Sequence, residues 1–171
     1  MKYRDKLYLS GMKNIIEVAK SYIGQEEKTR NSGFKNGWFE KLMRAVGFYT
    51  GAPWCAFFAK LVWKESRVDH SLISGSVYKT MMNATKAGNW HVKPVDGCLT
   101  VWILFKNGKP TKKGHIGVFV FSATNWFKTV EGNTSKQGSR EGTIVDENVH
   151  TYDWTSSNGL RLMGFIHPNS I

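Results

Sequence analysis

Residues 98–121 read CLTVWILFKNGKPTKKGHIGVFVF. Cys98–Phe105 and Gly114–Phe121 are rich in β-branched and aromatic residues, and Asn107-Gly108 between them is a turn pair suited to the positive φ angles of a tight hairpin. The stretch predicts two antiparallel strands. Further strands are predicted at Phe127–Gly132, Thr143–Val149 and Leu160–His167. Ahead of this region the apolar residues recur at helical spacing instead. Ser10 would cap a helix carrying Met12, Ile15, Ile16, Ala19, Tyr22 and Ile23 on one face and stopping at Gly24. Gln25–Lys35, with Asn31, Ser32 and Gly33, reads as a loop. Asn36 would cap a second helix with Trp38, Phe39, Leu42, Met43 and Val46 inward, closed by Gly47. Pro53 suits the first turn of a third helix on which Cys55, Phe58, Ala59 and Val62 share a face, and a fourth is predicted over Ser76–Ala87. Helices first and an antiparallel sheet second make an α+β fold, with no repeat, linker or low-complexity tail.

The 171 residues, 41% hydrophobic and 13% aromatic, suit one domain with one core and exclude disorder. No apolar run approaches the roughly 20 residues that a membrane-spanning helix needs, so no membrane span is expected. Twenty-four Lys and Arg against 13 Asp and Glu leave a net charge of +11, which favours an anionic partner such as nucleic acid, anionic lipid or an acidic wall polymer. A nucleic-acid partner is disfavoured because no recognition helix, RNP-like motif or clustered basic stripe accompanies the charge. Two cysteines are too few for a disulfide scaffold. The five histidines match no metal-ligand spacing, so no metal or other cofactor is expected. His150 and His167 read as solvated or capping residues. Met1–Ser10 carries no secretory signal, which implies synthesis in a cytoplasm.

Three stretches carry candidate chemistry. In Ala52-Pro53-Trp54-Cys55-Ala56-Phe57-Phe58 a thiol sits in a helix's first turn, where the helix dipole favours a thiolate and unpaired N–H groups can receive an oxyanion. Gly114-His115-Ile116-Gly117 opens a strand with an imidazole flanked by glycines, which leave room for another group beside the ring. Such a histidine can take the thiol proton and return it to a leaving amine. In Val130-Glu131-Gly132-Asn133-Thr134, Glu131 and Asn133 project to one side of a regular strand, and either could orient the imidazole. Lys109, Lys112 and Lys113 would draw an anionic substrate toward His115 and hold its pKa down. Exposed members of Trp38, Trp90, Trp126 and Trp154 are candidate surfaces for stacking on sugar rings, and Trp54 and Trp90 are the candidate substrate-binding residues.

The order of these stretches resembles the CHAP amidases and peptidases, within the NlpC-like branch of papain-fold enzymes that cut bacterial peptidoglycan. The resemblance also takes in Ala87-Gly88-Asn89-Trp90 and Pro94-Val95-Asp96-Gly97 and so spans most of the chain. It implies Cys55 as nucleophile, His115 as general base, and Glu131 or Asn133 as the orienting partner. It also implies a papain-like domain over residues 1–171, acting as a monomer on peptidoglycan without a cofactor, as an amidase or endopeptidase. The settings that fit are a phage lysin, a virion component or a delivered effector, acting in the periplasm or cell wall after release. The chain departs from the family where Gly97-Cys98 replaces the usual Gly-Asp. Residues 44–54 also lack the acidic cluster with which some members bind calcium. Two alternatives compete with this reading: a basic nucleic-acid-binding protein, and an inactive module that only binds wall.

Overall fold

A computed structural model describes residues 15–135 and 141–169. Helix α1 is described over residues 15–21 and buries Ile15 and Ala19, with Tyr22 just beyond; Ser10 and Met12 lie outside the described residues. α2 (Gly37–Ala45) starts at Asn36, whose side chain accepts hydrogen bonds from the N–H groups of Trp38 and Phe39. It buries Phe39 and Met43 and ends before Gly47, whose φ of 104° suits glycine. α3 (Cys55–Glu65) is buried along most of its length, and α4 (Val77–Lys86) is capped by Ser76.

The sheet follows. Strands β1 (Leu99–Lys106), β2 (Lys109–Ser122), β3 (Trp126–Thr134), β4 (Ile144–Thr151) and β5 (Gly159–Ile166) lie in the order β4-β3-β2-β1-β5, with every neighbouring pair antiparallel. Asn107 and Gly108 take φ of 49° and 75°, the two positive values that a tight hairpin demands, and Lys106 faces Lys109 across the turn. The fold is therefore α+β, with helices N-terminal and an antiparallel sheet C-terminal.

Side-chain alternation divides the core in two. Leu99, Val101, Ile103, Ile116, Val118 and Val130 pack with the helices. Cys98, Trp102, Phe119, Phe127, Leu162 and Phe165 form a second cluster. α3 packs on β2 and β3, and α4 packs on β2 and β1. The start of α3 is thereby brought against the strands that carry His115 and Glu131. Among the described residues, no helix is long and apolar enough to cross a membrane.

Candidate active site

Cys55 is the first residue of α3, and Pro53, expected in the first turn, lies before the N-cap, outside the helix. Trp54 supplies the N-cap at φ −114° and ψ 8°, a bridge conformation outside the helix, and the first regular bond runs from Phe58 N–H to the Trp54 carbonyl. Unlike Asn36 and Ser76, Trp54 makes no side-chain capping bond. The first-turn donors of α3 are thus left for another acceptor. Cys55 is 4% exposed and opens on a cleft of about 240 Å³, walled by Pro53, by Gly75–Val77, by Lys112–Gly114 and by Glu141.

His115 is buried on β2 beside Trp102 of β1. A Cβ on Gly114 would lie 2.3 Å from the Trp102 carbonyl oxygen, and one on Gly117 would lie 2.7 Å from Cγ of Glu131. The two glycines that flank His115 therefore admit a neighbouring backbone and the partner carboxylate. His115 Nε2 donates to Glu131 Oε2 at 2.8 Å. Glu131 is fully buried, and its carboxylate collects further donors: Thr129 Oγ1 and His150 Nε2, each 2.5 Å from Oε1, and Asn148 Nδ2, 3.4 Å from Oε2.

With Nε2 committed to Glu131, Nδ1 is the nitrogen left to exchange a proton with a nucleophile. Nδ1 is buried and forms no hydrogen bond of regular geometry, yet the Cys55 sulfur interacts with the ring and favours its charged form. Catalytic hydrogen bonds are often loose until substrate is bound. Burial presses the imidazole toward its neutral form, but the Glu131 carboxylate and the Cys55 sulfur outweigh it and raise the pKa to about 10. Burial likewise opposes ionisation of Glu131, but His115 and then His150 hold its carboxyl well below the usual range. The expectation that nearby lysines would lower the pKa of His115 is overturned, because the buried carboxylate and sulfur govern it.

The pair makes stability depend on pH in a defined direction. Below the ordinary histidine value of 6.5 the imidazole is charged in folded and unfolded chains alike, and its pairing contributes in full; as pH climbs from 6.5 toward about 10, the unfolded chain loses the proton that the folded chain keeps. On the acid side the contribution of Glu131 is complete above its ordinary value of 4.5 and fades as pH falls further. The expected result is a melting temperature that declines from pH 6.5 to 10. Circular dichroism melts should show a much shallower decline for Glu131→Gln, and equal slopes would contradict the pairing.

Among the sequence candidates, Cys55, His115 and Glu131 come together. Asn133 does not join them: its backbone turns left-handed at φ 57°, which ends the alternation that would have placed it beside Glu131, and no hydrogen bond links it to His115 among the described residues. Trp54 is corrected from a substrate-binding candidate to a core residue. It is 0% exposed, and its Nε1 donates to Glu27 Oε2 at 2.7 Å. Trp54→Phe leaves the buried Glu27 short of a donor and should cost about 1–3 kcal/mol, read as a lower urea midpoint. Trp90 packs partly buried against Gly164 of β5 and is not among the residues walling the Cys55 cleft.

The reading of His150 as solvated or capping is also corrected, since it is bonded to Glu131. His167 stacks on His91 at 3.6 Å and bonds the Lys93 carbonyl, away from the site. A signal for His150 existed in the alternation Asp146, Asn148, His150 beside Phe127, Thr129 and Glu131, because β4 pairs with β3 in that register. Cys98 lies in the second core, where burial pushes its thiol pKa up, leaving Cys55 as the thiol at the cleft. Among the described residues, no three His, Cys, Asp or Glu side chains are grouped to hold a metal ion. No protein-family model matches the chain, and no curated protein or solved structure matches it significantly.

Proposed function

We propose that this chain is a papain-like cysteine hydrolase that cuts an amide bond in bacterial peptidoglycan. The observation that carries the proposal is the line from Glu131 through His115 to Cys55 at the uncapped start of α3. In the reaction, His115 holds the proton given up by Cys55, and Sγ attacks the scissile carbonyl carbon. The oxyanion accepts hydrogen bonds from first-turn N–H groups of α3. Collapse breaks the C–N bond, and the leaving amine takes the proton from His115. Water, activated by His115, then hydrolyses the thioester and restores the thiol. Glu131 holds the ring and its charge throughout, a role that uses the burial and the donors around it.

The choice of peptidoglycan rests on the resemblance of Pro53-Trp54-Cys55-Ala56-Phe57, Gly114-His115-Ile116-Gly117 and Glu131-Gly132-Asn133 to the CHAP family, and on charge. A net +11 suits an anionic wall, and Lys112 and Lys113 outnumber Glu141 among the charged residues lining the cleft. The test is incubation of the purified protein with isolated peptidoglycan, followed by assay of new free amines and mass spectrometry of the fragments. The expected result is one new amine and one new carboxylate per cut, on the two fragments that it separates, and their masses identify the bond. No release, together with tight salt-sensitive DNA binding, would replace this proposal with the nucleic-acid alternative.

A further inference from the structure

His150 stands behind the line of reacting groups, on β4 rather than on any segment that carries a motif. Its Nε2 lies 2.5 Å from Glu131 Oε1, while His115 takes the other carboxylate oxygen. One buried carboxylate therefore bridges two imidazoles. The ring of His150 packs in tilted contact beside two aromatic rings, 4.7 Å from that of Trp102 and 5.6 Å from that of Phe127. Its side chain keeps 19% exposure through a separate cavity of about 220 Å³. That cavity and the Cys55 cleft share no residue, and His115 lines only the former.

We infer that His150 is a positioning residue for the proposed hydrolysis, fixing Glu131 so that Oε2 stays aimed at Nε2 of His115. A glutamate side chain has three rotatable torsions, so a single bond to His115 would not hold its orientation. Thr129 and His150 both anchor Oε1, from β3 itself and from the neighbouring strand, and two anchors on different strands stop the carboxylate from turning. The groups that face His150 are Glu131 and His115, with Asp153 across the cavity. Asp153 is occupied by the N–H groups of Thr155 and Ser156, so Glu131 is the acidic partner to which His150 is bonded. A purely packing role would need only the ring's shape against Trp102 and Phe127. A positioning role needs the N–H at the far end of that ring.

The inference rests on the catalytic reading of Cys55 and His115, and its test separates the two. His150→Gln puts an amide nitrogen near the place of Nε2, whereas His150→Asn keeps an amide but falls short of Glu131, and His150→Leu keeps bulk without a donor. The His115 Nε2–H resonance in proton NMR, which needs no substrate, should persist in the native protein and in His150→Gln and broaden away in the other two. With peptidoglycan as substrate, kcat should fall by roughly 10-fold to 100-fold in His150→Asn and His150→Leu with KM little changed, and His150→Gln should restore most of it. Equal behaviour of Gln and Asn variants in the NMR measurement, or an unaltered resonance in His150→Leu, overturns the inference. A native protein that fails to cut peptidoglycan while the NMR pattern holds overturns the catalytic reading alone.

Discussion

Cys55→Ala is expected to lower the proposed amine release from peptidoglycan by roughly 10³-fold or more, to the level of the uncatalysed background, while the fold is kept. The expectation of a clean chemical loss comes from position. Alanine is the best helix former, residue 55 opens α3, and the substitution removes only Sγ. What disappears is the atom that forms the thioester, and nothing else at the cleft replaces it, because Cys98 sits in the second core. Cys55→Ser should fare little better, since a hydroxyl ionises far less readily than a thiol. Undiminished release by either variant, measured beside an unchanged circular dichroism spectrum, would remove the thiol mechanism and send the search to another group.

Glu131→Gln is expected to lower kcat by about 10²-fold to 10⁴-fold. The amide keeps the shape, but its oxygen carries no charge, and its nitrogen offers a donor where His115, Thr129, His150 and Asn148 all present donors. The imidazole then loses the carboxylate that outweighs its burial, and it no longer holds its proton into the alkaline range. The alkaline limb of the pH–rate profile should accordingly move to lower pH. Glu131→Ala should go further and unfold part of the population, because it strands several buried donors around an empty site, a loss of about 3–5 kcal/mol. A Glu131→Gln enzyme with native kcat and an unmoved alkaline limb would contradict the assignment.

Much of this architecture was legible in local residue patterns. Asn107-Gly108 announces its hairpin because few other pairs tolerate two positive φ angles in succession, and Asn36 and Ser76 mark helix starts because their side chains satisfy otherwise unpaired N–H groups. Cys55 was readable for the same local reason. The choice between Glu131 and Asn133 was not, because it turns on a left-handed kink at Asn133 that strand alternation does not foresee. The part of His150 was hidden more deeply. It depends on β4 lying beside β3 in one register, a long-range pairing without which the alternation Asp146, Asn148, His150 names no partner for the histidine. The burial of Trp54 likewise depends on Glu27, whose approach to the indole is a tertiary event.

The sulfur belongs to the helical layer, whereas its base and the carboxylate behind that base belong to the sheet. In the proposed hydrolase, catalytic competence is consequently a property of the seam between layers. Warming or mild urea that lets α3 slide by an ångström or two against β2 and β3 would silence turnover before any strand unzips. Loss of hydrolysis should therefore precede loss of the β-sheet signal, making turnover an early reporter of loosening in an otherwise intact molecule.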